Sequence, residues 1–259
     1  MASWSFDTEE FAALWFGPAN DRMLYPLGYL SQFSHVNERD LHWARVRCEY
    51  SEQGRLSWGE ADLLRRAFAV LTEPETWAEV HGACDTAGPI RVCAARHDRH
   101  GVLAVQFTRR PRIHVTITTA DALPAALTTL LPRRPPGTRR AEAFVAADLY
   151  PERQPVIRYT GDSTPLERYR RLIRRPATGA GVVTVFRGPR HRGTRPPRKV
   201  GTVRWYDIES DGRYMETGTR TLTVQPADAD ALQSVCARLL DHALTEYREY
   251  IEELGQFAH

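Results

Sequence analysis

Lysine is nearly missing from this 259-residue chain: Lys199 is the sole lysine among 35 basic residues, so arginine carries the positive charge. A bias that pervasive reads as coding composition, and it makes arginine the default solvating residue of turns. Against 32 acidic residues it leaves a net charge of +3, too even to demand a polyanionic partner. Long apolar runs are also missing. None approaches the roughly 20 residues a membrane-spanning helix needs. The opening Met1-Ala2-Ser3-Trp4-Ser5-Phe6-Asp7 has no basic stretch followed by an apolar core, so no secretory signal is expected. The expectation is a soluble, cytoplasmic protein. Cysteine is sparse: Cys48, Cys84, Cys93 and Cys236 show no CxxC spacing. With Cys93 in an apolar strand pattern and Cys236 in an apolar helix pattern, buried free thiols are expected in place of disulfides or a zinc site.

Catalytic signatures are missing as well. There is no GxSxG, HExxH or GxGxxG, which removes the usual strand-turn-helix nucleophile, zincin and dinucleotide readings. Gly188-x4-Gly193-Thr194 lacks the lysine of a phosphate-cradling loop, and no helix pattern follows it. Asp207-Ile208-Glu209-Ser210-Asp211-Gly212 opens like a calcium loop, but its twelfth position is Gly218 where a bidentate glutamate belongs, so a solvated hairpin turn is the better reading. His97-Asp98-Arg99-His100 sits on a hairpin tip with no third ligand in view. No catalytic residue, metal ligand or cofactor is assigned, and the expectation is a protein that is not an enzyme.

What the chain does have is a repeated phrase. Thr116-Ile117-Thr118-Thr119-Ala120-Asp121-Ala122-Leu123 runs into an apolar stretch ending at Leu131, and Thr223-Val224-Gln225-Pro226-Ala227-Asp228-Ala229-Asp230-Ala231-Leu232 into one ending at Leu240. Each reads as an alternating strand, an acidic helix start and leucines at helical spacing. Upstream, Leu64-Arg65-Arg66 through Pro74 resembles Arg170-Arg171-Leu172 through Pro176. Pro74 and Pro176 are 102 residues apart, Thr118 and Gln225 107, and Leu131 and Leu240 109. So slow a drift is what a duplicated unit with small loop insertions would give.

The local patterns fill in the unit. A helix is expected over Phe6–Trp15, stopped by Gly17-Pro18, and a second over 38–53. A third begins at Ser57, whose spacing to Glu60 is a capping box, and closes at Pro74. Four strands follow, over 76–81, 90–96, 102–108 and 113–118, then a helix over 121–131. Alternation sets Leu103, Val105 and Phe107 together with Ile113, Val115 and Ile117 on one face, and Ala104, Gln106, His114, Thr116 and Thr118 on a polar opposite face. After a proline- and arginine-rich linker come a short strand over 142–149, a helix over 165–175 and strands over 180–187, 200–206, 212–217 and 220–225. A helix from Ala227 to about Leu254 ends the chain, and a basic loop, 188–199, interrupts the second set of strands.

Four segments give this order a family likeness. Phe6-Asp7 to Leu14-Trp15 with Tyr25-Pro26-Leu27 is similar to the opening of the EspG family of type VII (ESX) secretion chaperones. Leu71-Thr72-Glu73-Pro74 with its strands, Trp205-Tyr206-Asp207 to Asp211-Gly212-Arg213-Tyr214, and Val224-Gln225-Pro226-Ala227-Asp228 resemble later junctions of that family. The resemblance implies an α+β fold: a quasi-two-fold duplicated unit with a central, mostly antiparallel sheet flanked by helical bundles. One EspG-like domain would span 1–259, with an N-terminal helical region to residue 75, a first half-sheet and helix over 76–132, a linker over 133–141 and a second half over 142–254. It also implies a cytosolic chaperone that holds a PE/PPE-like heterodimer, or a related secreted helical substrate, soluble before export. Two departures stand out: the first-half hairpin loop, which contributes to client contact in the family, is short here (Arg96–Gly101), and the long loop lies instead at 188–199.

The client surface expected from these patterns is the polar sheet face with the last helix: Gln106 and His114 in the first copy, Thr202, Arg204 and Tyr206 in the second, with Arg96 and Arg99 as a rim. Arginine and tyrosine are favoured because they dominate protein–protein hot spots. Trp205, in phase with Val203, is expected in the core. The competing class is a nucleic-acid-binding protein acting through the arginine clusters 109–112, 133–140 and 187–198. Oligomeric state, monomer or homodimer, is left open by the sequence.

Overall fold

The computed structural model describes residues 2–51, 54–86, 88–107, 111–149, 163–190 and 197–256. Half of the basic loop expected at 188–199, residues 191–196, lies outside the described residues. Helix starts follow local chemistry. Asp7, Ser57 and Thr164 each accept the amide three residues on, while Glu10, Glu60 and Glu167 reach back to the cap backbone. These capping boxes satisfy donors that the first turn leaves open, and they begin helices α1 (Thr8–Trp15), α3 (Trp58–Thr72) and α6 (Pro165–Ile173). Helix α2 (Val36–Glu49) lacks a side-chain cap and buries only Val46. The Asp228 carboxylate accepts the Ala231 amide at 2.8 Å at the start of α7 (Ala229–Gln256).

Three expected elements differ. Ser3–Asp7 is a strand, β1, so Phe6 belongs to a sheet and the first helix starts only at Thr8. Ser3, Ser5 and Asp7 alternate with Trp4 and Phe6, and this short period-two signal is masked by the helix that follows it. The expected helix over 121–131 is a 3-10 turn, Ala120–Ala122, continued by α4 (Leu123–Thr129). Residues 142–149 divide into β6 (Glu142–Val145) and α5 (Ala146–Leu149).

The remaining strands are β2 (Thr76–Cys84), β3 (Gly88–His97), β4 (His100–Phe107), β5 (Arg112–Thr119), β7 (Ala177–Arg187), β8 (Arg198–Ile208), β9 (Gly212–Thr217) and β10 (Thr221–Pro226). They form one ten-stranded sheet in the order β1-β5-β4-β3-β2-β7-β8-β9-β10-β6. Every neighbouring pair is antiparallel. Read outward from the β2/β7 seam, each half lays down four consecutive strands, then a strand that precedes them in sequence. Helix α3 precedes β2 as α6 precedes β7, and α4 follows β5 as α7 follows β10. The α+β fold is therefore quasi-two-fold, with its axis at the seam.

Both faces are covered. Val80, Val92, Leu103, Val183, Val203, Trp205 and Met215 pack with Leu123 and Leu127 of α4 and with Leu232, Val235, Cys236 and Leu240 of α7. On the other face, Trp77, Ala95, Ala104, Ile113 and Val115 pack with Phe11, Trp15, Leu64 and Leu71 of the N-terminal layer. In the second half that face carries Phe144, Tyr214, Leu222 and Val224, which pack with Leu149 of α5 and with Tyr169 and Leu172 of α6. Trp205 fills the space left by a glycine pair at the seam: a Cβ on Gly181 would lie 2.1 Å from its ring, and one on Gly82 2.8 Å.

The expected face assignment of β4 and β5 is corrected by register. Val105 pairs with His114 and Gln106 with Ile113, so Leu103 and Val105 share a face with His114 and Thr116, while Ile113, Val115 and Ile117 share the opposite face with Ala104 and Gln106. A shift of one residue transfers a whole strand's side chains to the other face. No helix among the described residues is long and apolar enough to cross a membrane.

Candidate partner-binding surface

Strand β8 places Thr202, Arg204 and Tyr206 on one face by strict alternation, opposite Thr184, Val182 and Ala180 of β7. This is the face that α3 covers in the first half and α6 in the second. Between those layers the sheet is open: His81 and Arg204 are exposed, and Val182, Thr184 and Thr202 partly so. The Arg204 side chain is 50% exposed and its Nη1 donates to Glu216 Oε1 at 2.7 Å. Glu216 is buried, and its Oε2 accepts Tyr206 Oη at 3.0 Å and Tyr169 Oη at 2.7 Å. Burial, then the Glu216 charge, pushes the Tyr206 hydroxyl up, so it stays a neutral donor. The Tyr206 hydroxyl is thus committed to the fold, while Arg204 has one edge anchored and the other in solvent.

The first-half candidates are dispersed. Gln106 is only 6% exposed: its Nε2 donates to Gly28 O and its Oε1 accepts Gly28 N, each at 2.7 Å. It clamps the segment before α2 onto the sheet and is no exposed contact. His114 lies on the opposite face, with Nε2 3.4 Å from Ser5 Oγ and its ring edge-on to Phe107. Burial, then Arg112, lowers its pKa. Arg96 shares that opposite face and donates to Asp98 O within its own turn, while Arg99 is exposed at the tip. The structure therefore brings together Thr202, Arg204 and Tyr206, leaves Gln106 on the same face but four strands away, and separates His114, Arg96 and Arg99 from them.

Helix α7 supplies a second exposed feature. Its buried positions end at Leu244, and the turns from Thr245 onward run beside the base of the β7–β8 connection. There Arg187 stacks 4.1 Å over Tyr250, and Arg198 lies 3.4 Å from Glu246. That base is fixed to the first half. Arg190 is buried, 4.5 Å over the Trp77 ring. It donates to Leu71 O and Cys93 Sγ and lies 3.7 Å from Glu79. Sequence reasoning counted Arg190 as one of many loop arginines, and nothing in its flanks marks it as buried.

The Trp205–Tyr214 phrase proves to be structural. Arg213 donates through Nε and Nη2 to both oxygens of Asp207, at 2.6 and 2.8 Å, and through Nη2 to Pro132 O. Asp211 accepts the Thr138 amide, the Thr138 and Tyr214 hydroxyls and Arg175. The proline-rich linker is thereby clamped to the second half-sheet. Among the described residues no group of three or more His, Cys, Asp or Glu could hold a metal ion.

Fold and surface together define a class: a duplicated α+β protein presenting an open strip of sheet and a long helix that outruns its core. The sequence matches the EspG family over residues 7–237, and the chain belongs to that family. Its fold is similar to that of the type VII secretion system chaperone EspG5 of Mycobacterium tuberculosis, solved in complex with a PE25–PPE41 dimer. The TM-score is 0.56 at 13% identity, over 92% of this chain and 95% of that one. No curated protein matches the sequence.

Proposed function

We propose that this protein is a cytoplasmic, non-enzymatic chaperone of type VII secretion that binds a PE/PPE-like or related helical substrate and keeps it soluble before export. Membership of the EspG family across residues 7–237 carries the reading. The likeness in fold to a chaperone solved with a PE–PPE dimer supports it. The physical logic is that an exposed apolar tip on a helical client drives aggregation, and a chaperone that masks it stabilises the soluble form by mass action.

The whole chain acts as one EspG-like unit, its N-terminal helical region (1–75) and two half-sheets sharing one sheet. Its client surface is the open strip around Thr202 and Arg204, with Tyr206 held by Glu216 beside them, the last turns of α7 at the end of the sheet and Arg99 at the rim. Gln106, on the same face but four strands away on β4, holds the Gly28 segment there. Arg96 and His114, on the far face, contribute only if the client wraps an edge.

Co-purification with PE/PPE-like pairs encoded beside the gene tests the function, and Arg204→Ala tests the surface. The expected loss for a hot-spot arginine is about 2 kcal/mol, roughly thirtyfold in Kd, with little change in Tm. Failure to capture any such pair, together with tight and steeply salt-dependent binding of generic DNA or RNA, would overturn the function. Unchanged client affinity in Arg204→Ala would remove the strip from the site.

A further inference from the structure

Helix α3 leaves one of its faces exposed. With Leu64, Ala67 and Leu71 turned into the core, the outward line of the helix runs Gly59, Asp62, Arg66 and Ala69. Trp58 and Leu63 flank that line, one on each side, and are 69% and 39% exposed. No atom lies within 4 Å of where a Cβ on Gly59 would stand. Beside Leu63 a cavity of about 480 Å³ opens between α3 and the sheet, lined by Ala67, Val70, Val102 and Ile117. An exposed tryptophan next to an unfilled apolar cavity is the kind of patch that marks an interaction site.

The outward line is complementary to itself when two copies meet antiparallel. About a two-fold axis at Leu64, Gly59 faces Ala69 of the second copy and Asp62 faces its Arg66, each twice over. The small residues at either end let the two backbones approach closely. Within one copy Asp62 already holds Arg66 at 2.8 Å and Arg65 at 3.0 Å, so the second copy closes a ring of alternating charge. Trp58 then lies over Ala69 of the second copy, and the two Leu63 side chains meet at the mouth of the cavity. Parallel packing would instead set Asp62 against Asp62 and Arg66 against Arg66.

We infer that α3 carries a homodimer contact, packed antiparallel on α3 of a second copy of this chain. The contact is isologous, so a single two-fold axis closes it and leaves no open end. Two Trp58 rings alone remove on the order of 300 Å² of apolar surface from water. Apolar area therefore supplies the affinity, while the Asp62–Arg66 pairs set direction and register. The contact uses neither the strip around Thr202 and Arg204 nor the last turns of α7, so it stands apart from the client surface.

Sedimentation or light scattering on the full chain tests it, with a mass of twice 29.5 kDa expected. Trp58→Ala should weaken the dimer about thirtyfold, as truncation of a hot-spot tryptophan does. Asp62→Arg and Arg66→Asp should each give monomers, because like charges then oppose across the axis. An equimolar mixture of those two variants should form a heterodimer, and the chain carrying both changes should dimerise with itself. Both restore opposite charges, which separates lost complementarity from misfolding. A wild-type monomer at high micromolar concentration would overturn the inference. So would a dimer indifferent to Trp58→Ala and to both reversals, or a mixture that stays monomeric. A monomer in which Trp58→Ala abolishes capture of a PE/PPE-like pair would overturn it too and give this face to the client.

Discussion

Asp207→Ala gives the most direct test of how the second half is built. Asp207 and Arg213 are each 1% exposed at the side chain and meet through two hydrogen bonds, at 2.6 and 2.8 Å. Two unit charges held this deep interact strongly, but each has lost its hydration, so the pair as a whole adds little net stability. Removing one partner is another matter. Without the carboxylate the Arg213 guanidinium stays buried with only Pro132 O as acceptor, and such a break costs about 3–5 kcal/mol. For a chain of this size each kcal/mol moves Tm by about 2–4 °C, so a fall of roughly 6–20 °C is expected by calorimetry or circular dichroism. Two controls bracket it. Asp40→Ala, which breaks the exposed pair with Arg39, should cost at most about 1 kcal/mol. The double change Asp207→Leu with Arg213→Met, which leaves no unpaired charge, should recover most of the loss. If Asp207→Ala cost no more than Asp40→Ala, or the double variant were as unstable as the single, the buried-pair argument would be refuted.

Two further predictions concern the seam and the linker clamp. Gly181→Ala would place a Cβ 2.1 Å from the Trp205 ring and 2.8 Å from the Gly82 Cα. It should lower the urea midpoint by the equivalent of about 1–3 kcal/mol at constant m-value, and an unchanged midpoint would mean the seam is packed differently. At Asp211 burial pushes the carboxyl up, but the hydrogen bonds from Arg175, the Thr138 amide and Tyr214 outweigh it and hold the group well below the usual carboxylate range. Because the folded pKa is depressed, the clamp's contribution is complete above the unfolded value of about 3.9 and is lost as pH falls through the folded one. Wild type should therefore lose stability on acidification below about pH 4 more steeply than Asp211→Asn; parallel curves would show that Asp211 has no part in it.

Much of the fold could be read from residue order because its determinants are local. The capping box at Ser57 and Glu60, the stripe from Leu64 to Leu71 and the period-two runs of the two half-sheets each concern neighbours within a turn or a strand. The doubled Ala-Asp phrase identified the duplication because each copy is the point where a half-sheet receives its covering helix. The DGRY phrase resembled the family before its purpose was visible, and the Asp207–Arg213 pair and the Asp211 clamp supply that purpose.

The candidate site was less legible. Alternation grouped Thr202, Arg204 and Tyr206 correctly, since all three belong to one strand. It failed between strands: Gln106 and His114 were assigned one face, yet a register that pairs Val105 with His114 puts them on opposite faces. Nor does sequence say which polar side chains are consumed internally, as Gln106 is by Gly28 and Arg190 by Leu71 and Cys93. The sequence by itself determined most of the elements, the duplication and the family, because propensity, capping and periodicity act over a few residues. Only the tertiary structure decided which strip of sheet stays open, which arginines are anchored and which remain for a partner. Those outcomes depend on strand register and on contacts between residues far apart in the chain.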